Sequence, residues 1–230
     1  MSEIEEGAES QTASDHTEST VESHLYAIKR QEAFELRRWW QRLTLDETML
    51  KRYTKQRPHP RGVRAALRRC ESIEQVMLTE AFRHLWFALE ARVWLNDQSS
   101  DHPTTRNHRL ETWATIAAIV AELRDEAFDV PLARRLGENR PNTADTPRMS
   151  DLRFQQLLDC HTPEELIRRF RRALKLADNT GVSVVRLADN VALWHREQRG
   201  QYRPEVTERF AFVMSDGYFK ARAMKASSSD

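Results

Sequence analysis

Only two cysteines occur in the chain, Cys70 and Cys160, which excludes a disulfide framework and a cysteine-based metal motif. Each stands alone in an amphipathic segment, the usual setting of a small core-lining thiol. Six glycines, scattered along the sequence, form neither a G-x-G-x-x-G nor a P-loop, so no phosphate-cradling loop is expected. No apolar run approaches the ~20 residues that a membrane span needs, and the acidic N-terminus is the reverse of a signal peptide, so the expected location is cytosolic. Stretches of period-two alternation are missing too, and the expectation is an all-α fold. Catalytic constellations are equally scarce. His108 with Glu111 and Glu80 with His84 have helical ligand spacing but no third ligand, and Glu122, Asp125 and Glu126 read as solvent-facing residues at a helix end. No catalytic residue, metal or cofactor is expected.

What the sequence does hold is charge, unevenly placed. The net charge is only +1, yet residues 1–24 contain seven acids (Glu3, Glu5, Glu6, Glu9, Asp15, Glu18 and Glu22) and no Lys or Arg. That segment cannot bury enough apolar surface to offset its ordering entropy and reads as a disordered acidic tail. Conversely, Lys51 to Arg69 carries eight Lys or Arg residues and no acid. Clustered like charges repel, which points to a polyanion or an acidic neighbour.

Capping signals divide the remainder into helices. Leu25, Ile28, Phe34, Leu36, Trp39, Trp40 and Leu43 recur at helical spacing. Thr44-x-x-Glu47 predicts a capping box and a helix ending near Pro58. Pro58 and Pro60 precede a third helix, in which Arg61, Arg64 and Arg68 form one stripe while Val63, Leu67 and Cys70 form another. Ser72 and Thr79 read as further caps, 96–107 as a polar loop, and Leu110 to Leu123 as the central helix. Gly137 is expected to end a short helix in the left-handed conformation. Thr162-Pro163-Glu164-Glu165 is the clearest helix start, and it leads into a second cationic face of Arg168, Arg171, Arg172 and Lys175. Later helices are expected from about Ser183 to Trp194 and from about Glu205 to Phe219. The organisation predicted is a tail (1–24), a helical bundle (25–137), a linker or loop (138–149), a second helical bundle packed on the first (150–225) and a frayed end (226–230).

Six tryptophans could serve as stacking platforms for bases, although most lie in apolar stripes. Trp39 and Trp40 are adjacent and cannot share one helical face, so one of them is expected to be partly exposed or to lie at a contact between bundles.

Several motifs together resemble a known family. They are Trp39-Trp40-x-x-Leu43, Arg61-Gly62-x-Arg64-Ala65-x-Leu67-Arg68-Arg69, Leu78-Thr79-x-Ala81-Phe82, Ser150-Asp151-Leu152-Arg153-Phe154-x-x-Leu157-Leu158, Leu166-x-Arg168-x-x-Arg171-Arg172-Ala173-Leu174 and Leu187-Ala188-Asp189-x-Val191-x-x-Trp194. In order and spacing they resemble the CasB family, the small subunit of the type I-E CRISPR Cascade complex, over about residues 34–213. Departures are the acidic tail, the segment from Lys51 to Pro60, and Asn190 where an Asp is common. The resemblance implies a non-enzymatic all-α subunit, two copies per complex, that works with the other Cascade subunits and holds the displaced and target DNA strands of the crRNA-guided R-loop.

The basic residues expected to contact nucleic acid are Arg61, Arg64, Arg68 and Arg69 on one surface and Arg153, Arg168, Arg171, Arg172 and Lys175 on another. Arg153, beside Leu152 and Phe154, is expected to be the most structural of them. Phosphate contacts are sequence-independent, as a guide-programmed complex requires. Two other readings of the same basic faces are a helical adaptor that binds acidic protein partners and a stand-alone DNA-binding regulator.

Overall fold

The computed structural model describes residues 24–95, 97, 102–141, 143, 146–200 and 203–226. The expected acidic tail lies outside them up to residue 23, and the expected frayed end lies outside them from residue 227. Among the described residues the structure is all-α. Its helices are α1 (Arg30–Thr44), α2 (Glu47–Leu50), α3 (Arg61–Arg69), α4 (Ile73–Met77), α5 (Glu80–Arg92), α6 (Pro103–Val120), α7 (Leu132–Gly137), α8 (Asp151–Leu158), α9 (Pro163–Leu176), α10 (Val184–Gln198) and α11 (Phe210–Ala226).

Helix starts follow local cap chemistry. Ser72, Thr79, Thr162 and Ser183 each accept a hydrogen bond from the backbone N–H three residues on, satisfying a donor that the first turn leaves unpaired. Thr44 does not cap α2. Its hydroxyl donates to the Trp40 carbonyl, and Asp46 takes the cap instead by accepting from Met49 N–H. Helix α2 ends at Leu50, well short of Pro58. Pro103 at the first helical position starts α6 seven residues before the expected Leu110.

Helix α6 is the axis of the molecule, with residues 112–123 buried in an unbroken run. Helices α4, α5, α9 and α10 pack around it, and one contiguous hydrophobic cluster extends from Ile28 to Tyr218. Helix α1 packs on α3, α5 and α10, so it is covered on more than one side. Trp39 and Trp40 are accordingly both buried, each only 3% exposed, so of the two expected settings partial exposure is ruled out, and α1 touches helices from both halves of the chain. Trp86, Trp94, Trp113 and Trp194 are buried as well, as are Cys70 and Cys160.

Gly137 acts through its size rather than through a left-handed turn. The following residue, Glu138, caps α7 in an extended conformation, and a Cβ on Gly137 would lie 2.3 Å from the Tyr218 carbonyl oxygen of α11. Left-handed φ values occur instead at Asp129, Asp178, Asn179, Gly181 and Gly200.

The segment before α1 is strapped to α10. Asp189, 1% exposed, accepts from the backbone N–H groups of Tyr26, Ala27 and Ile28 at 2.8–3.0 Å. Arg186 and Arg196 donate to the carbonyls of His24 and Tyr26. These three N–H groups and two carbonyls each have a partner of opposite sense.

Candidate nucleic-acid interface

The nine basic residues separate into two groups with different work. Arg64, Arg68 and Arg171 converge on the C-terminal end of α6, where the last carbonyls of a helix lack intrahelical partners. Arg64 donates from Nε to the Ala121 carbonyl (2.8 Å) and from Nη2 to the carbonyls of Glu122 (3.3 Å) and Leu123 (2.6 Å). Arg68 pairs with the Glu122 carboxylate at 2.9 Å, and Arg171 approaches its other oxygen at 3.4 Å. Arg171 also donates to the carbonyls of Cys70 (2.7 Å) and Leu67 (3.0 Å), which closes the C-terminal end of α3. Three cations at two helix ends complement the partial negative charge there. Burial lowers the pKa of Arg64 and of Arg171; Arg68 adds to the effect on Arg64, whereas Glu122 opposes it on Arg171. Both remain charged, as arginine does in proteins.

Arg61, Arg69, Arg153, Arg168, Arg172 and Lys175 are exposed, and among the described residues none of them makes a hydrogen bond or an ion pair. Three of the six are brought together. Arg153 of α8 and Arg168 and Arg172 of α9 line a groove of about 490 Å³ between those helices, floored by Met149, Leu157 and Leu176. Arg153 is thus a groove residue and not the structural one expected. Phe154 and Leu157 turn inward, and that spacing leaves Arg153 and Gln156 on the outer face. Arg169 lines the same groove but is held by Glu165 and by the Gln156 carbonyl.

The two basic helices meet through Arg171, whose guanidinium joins α9 to the end of α3. The segment before α3 is held by Arg42, which accepts from His59 N–H at its carbonyl and donates from Nε to the Arg57 carbonyl. Lys51 pairs with Glu47 at 3.0 Å on the surface.

The acidic candidates are occupied elsewhere. Glu122 serves Arg68 and Arg171, Glu126 accepts from Arg37 and from Val184 N–H, and Asp125 accepts from Gly181 N–H. No group of three or more potential metal ligands occurs among the described residues. No helix among them is long and apolar enough to cross a membrane.

Sequence reasoning missed one surface feature. Phe34, counted above in the apolar stripe of α1, is 60% exposed, and with Phe128 (61%) it flanks a cleft of about 520 Å³ that Arg37 and Arg186 also line. Arg37 lies over the Phe128 ring at 5.5 Å and Arg38 over the Phe34 ring at 5.3 Å. Arg37 and Arg186 are paired with Glu126 and Asp129, so this cleft carries little unmatched charge.

Together these features define an all-α protein with a cationic groove, its buried acids taken up by internal contacts. The family model for CRISPR-associated protein Cse2 matches residues 63–212, well over half of the chain, and the chain belongs to that family. It is the family of the type I-E Cascade small subunit, a structural component of the complex, to which the CasB resemblance pointed. No curated protein and no solved structure matches the chain.

Proposed function

We propose that this Cascade small subunit binds the nucleic-acid backbone without sequence specificity and thereby stabilises the displaced and target strands of the R-loop. The observation that carries this reading is the groove between α8 and α9, where Arg153, Arg168 and Arg172 converge with no intramolecular partner among the described residues. Lys175, Arg69 and Arg61 extend the basic surface along α9 and α3. Arginine suits the task because its planar fork takes phosphate oxygens in pairs. An R-loop exchanges a DNA duplex for a heteroduplex of about equal stability, so modest backbone contacts tip the balance. Arg64, Arg68 and Arg171 support this surface from behind, by fixing α3 and α9 on the end of α6.

The test is salt dependence combined with charge reversal. If about five phosphates of a single strand are contacted, log affinity falls with log salt at a slope of about −3.5. Arg168→Glu with Arg172→Glu is expected to lower that slope and weaken R-loop retention while leaving the thermal transition in place. Wild-type R-loop stability in the double variant would remove the groove from the proposal. Failure to bind mixed-sequence single-stranded DNA would favour the adaptor reading instead.

A further inference from the structure

The groove leaves Arg153, Arg168 and Arg172 without a partner among the described residues, while the sequence carries a block of acids with no Lys or Arg among them. Residues 1–23 hold seven carboxylates and no Lys or Arg. Around the groove Glu165 is engaged with Arg169, Asp178 with Arg148, and Asp151 with Tyr218 and Arg222, and Glu164, one turn before Arg168, makes no ion pair with it. We propose that residues 1–23 act in cis as a polyanion that occupies the groove between α8 and α9 and competes there with nucleic acid. The inference rests on the nucleic-acid reading of that groove.

Covalent geometry makes the contact reachable. Arg186 holds the His24 carbonyl, and Asp189 holds the three N–H groups of Tyr26 to Ile28, so the described chain begins at His24 beside the first turns of α10. Leu176, which lines the groove, precedes Arg186 by ten residues. Even fully extended, that connection spans no more than about 36 Å, whereas a 23-residue segment reaches roughly 75 Å. The segment therefore has ample length to enter the groove from its anchor.

The expected strength is modest. A tethered competitor presents itself at an effective concentration on the order of millimolar, enough to weaken an otherwise free site about three- to tenfold when its own contacts have a Kd of about 0.1–0.5 mM. Exposed charge pairs of this kind are screened by salt, so the competition fades as ionic strength rises. A strand with more phosphates than the segment has carboxylates displaces it at lower concentration than a shorter strand does.

The experiment uses the full chain with the seven acids changed to their amides (Glu→Gln at six positions, Asp15→Asn), alone and combined with Arg168→Glu and Arg172→Glu. Affinity for a mixed-sequence single-stranded DNA 20-mer is read by fluorescence anisotropy at low and high salt. In parallel, carbodiimide coupling of the wild-type chain, analysed by mass spectrometry, reports whether acids of 1–23 lie against Lys175. The amide variant is expected to bind about three- to tenfold more tightly at low salt. That gain should close at high salt and vanish in the charge-reversed background, and the Lys175 cross-link should disappear when DNA is added. Equal affinity of wild type and amide variant, or a gain that persists in the charge-reversed background, overturns the proposal. If neither protein binds DNA but the cross-link forms, the nucleic-acid reading fails while the intramolecular contact stands; without the cross-link, both fall.

Discussion

Arg171 and Arg172 are neighbours of one residue type on one helix, and the structure assigns them opposite consequences on truncation. The Arg171 side chain is 15% exposed, donates to the carbonyls of Cys70 and Leu67 and shares Glu122 with Arg68. Arg171→Ala deletes two well-formed charge-assisted hydrogen bonds and leaves the buried Glu122 with one partner. Breaking such a site costs about 3–5 kcal/mol. For a chain of this size that corresponds to a fall in Tm of roughly 6–20 °C. Arg172 is exposed and unpartnered, so Arg172→Ala should alter stability by less than about 0.5 kcal/mol. Its effect should fall on DNA affinity instead. Arg171→Lys tests the geometry separately from the charge, because an ammonium has one nitrogen where Arg171 reaches the two carbonyls from separate Nη1 and Nη2; it should recover less than half of the lost stability. Thermal melts followed by circular dichroism, with anisotropy titrations at a temperature where all three variants are folded, give both readouts. A wild-type Tm for Arg171→Ala, or equal losses of Tm for the two alanine variants, would refute the assignment.

Two further outcomes follow from the packing and from buried titratable groups. Gly137→Ala places a methyl group 2.3 Å from the Tyr218 carbonyl and must push α7 from α11, so a loss of about 1–3 kcal/mol is expected in chemical denaturation; Gly62→Ala, in helix α3 with nothing within 4 Å, is the unhindered control and should gain up to about 1 kcal/mol. His195 is buried against Thr115 Oγ1 at 3.0 Å, and burial pushes its pKa down to about 3. The folded form therefore keeps it neutral while the unfolded chain takes up a proton below about pH 6.5. Stability from this residue is complete above that pH and declines as pH falls toward 3. By pH 5 the loss is about 2 kcal/mol, and a pH series on His195→Gln should show a flatter decline.

Much of the helix order was legible because capping is decided within a few residues. Thr162-Pro163-Glu164-Glu165 carries its own instructions, and Ser72, Thr79 and Ser183 do likewise. Legibility failed where two local solutions compete, as with Thr44 and Asp46, and where a residue answers to a distant neighbour, as Gly137 does to Tyr218. The basic stripes show the same limit. Helical spacing placed Arg64 and Arg68 on a face with Arg61, and Arg171 with Arg172, but spacing cannot say what the face meets. Arg64, Arg68 and Arg171 meet the end of α6, whose carbonyls lie more than fifty positions away from each of them in sequence. Arg153 was misjudged in the opposite sense, because apolar neighbours in sequence lie on other faces in space. Trp40 shows what enclosure of α1 by three helices adds, a fact that no periodicity within α1 contains.

The strap before α1 also orders events during synthesis. Tyr26, Ala27 and Ile28 find their acceptor in Asp189, more than 160 positions later. At translation speeds of about 5–20 residues per second, the first segment waits roughly ten to thirty seconds after it is made before that carboxylate exists. Through that interval the apolar face of α1 lacks the α10 surface it will rest on, so the nascent chain is exposed to misassociation around α1 until α10 has been synthesised.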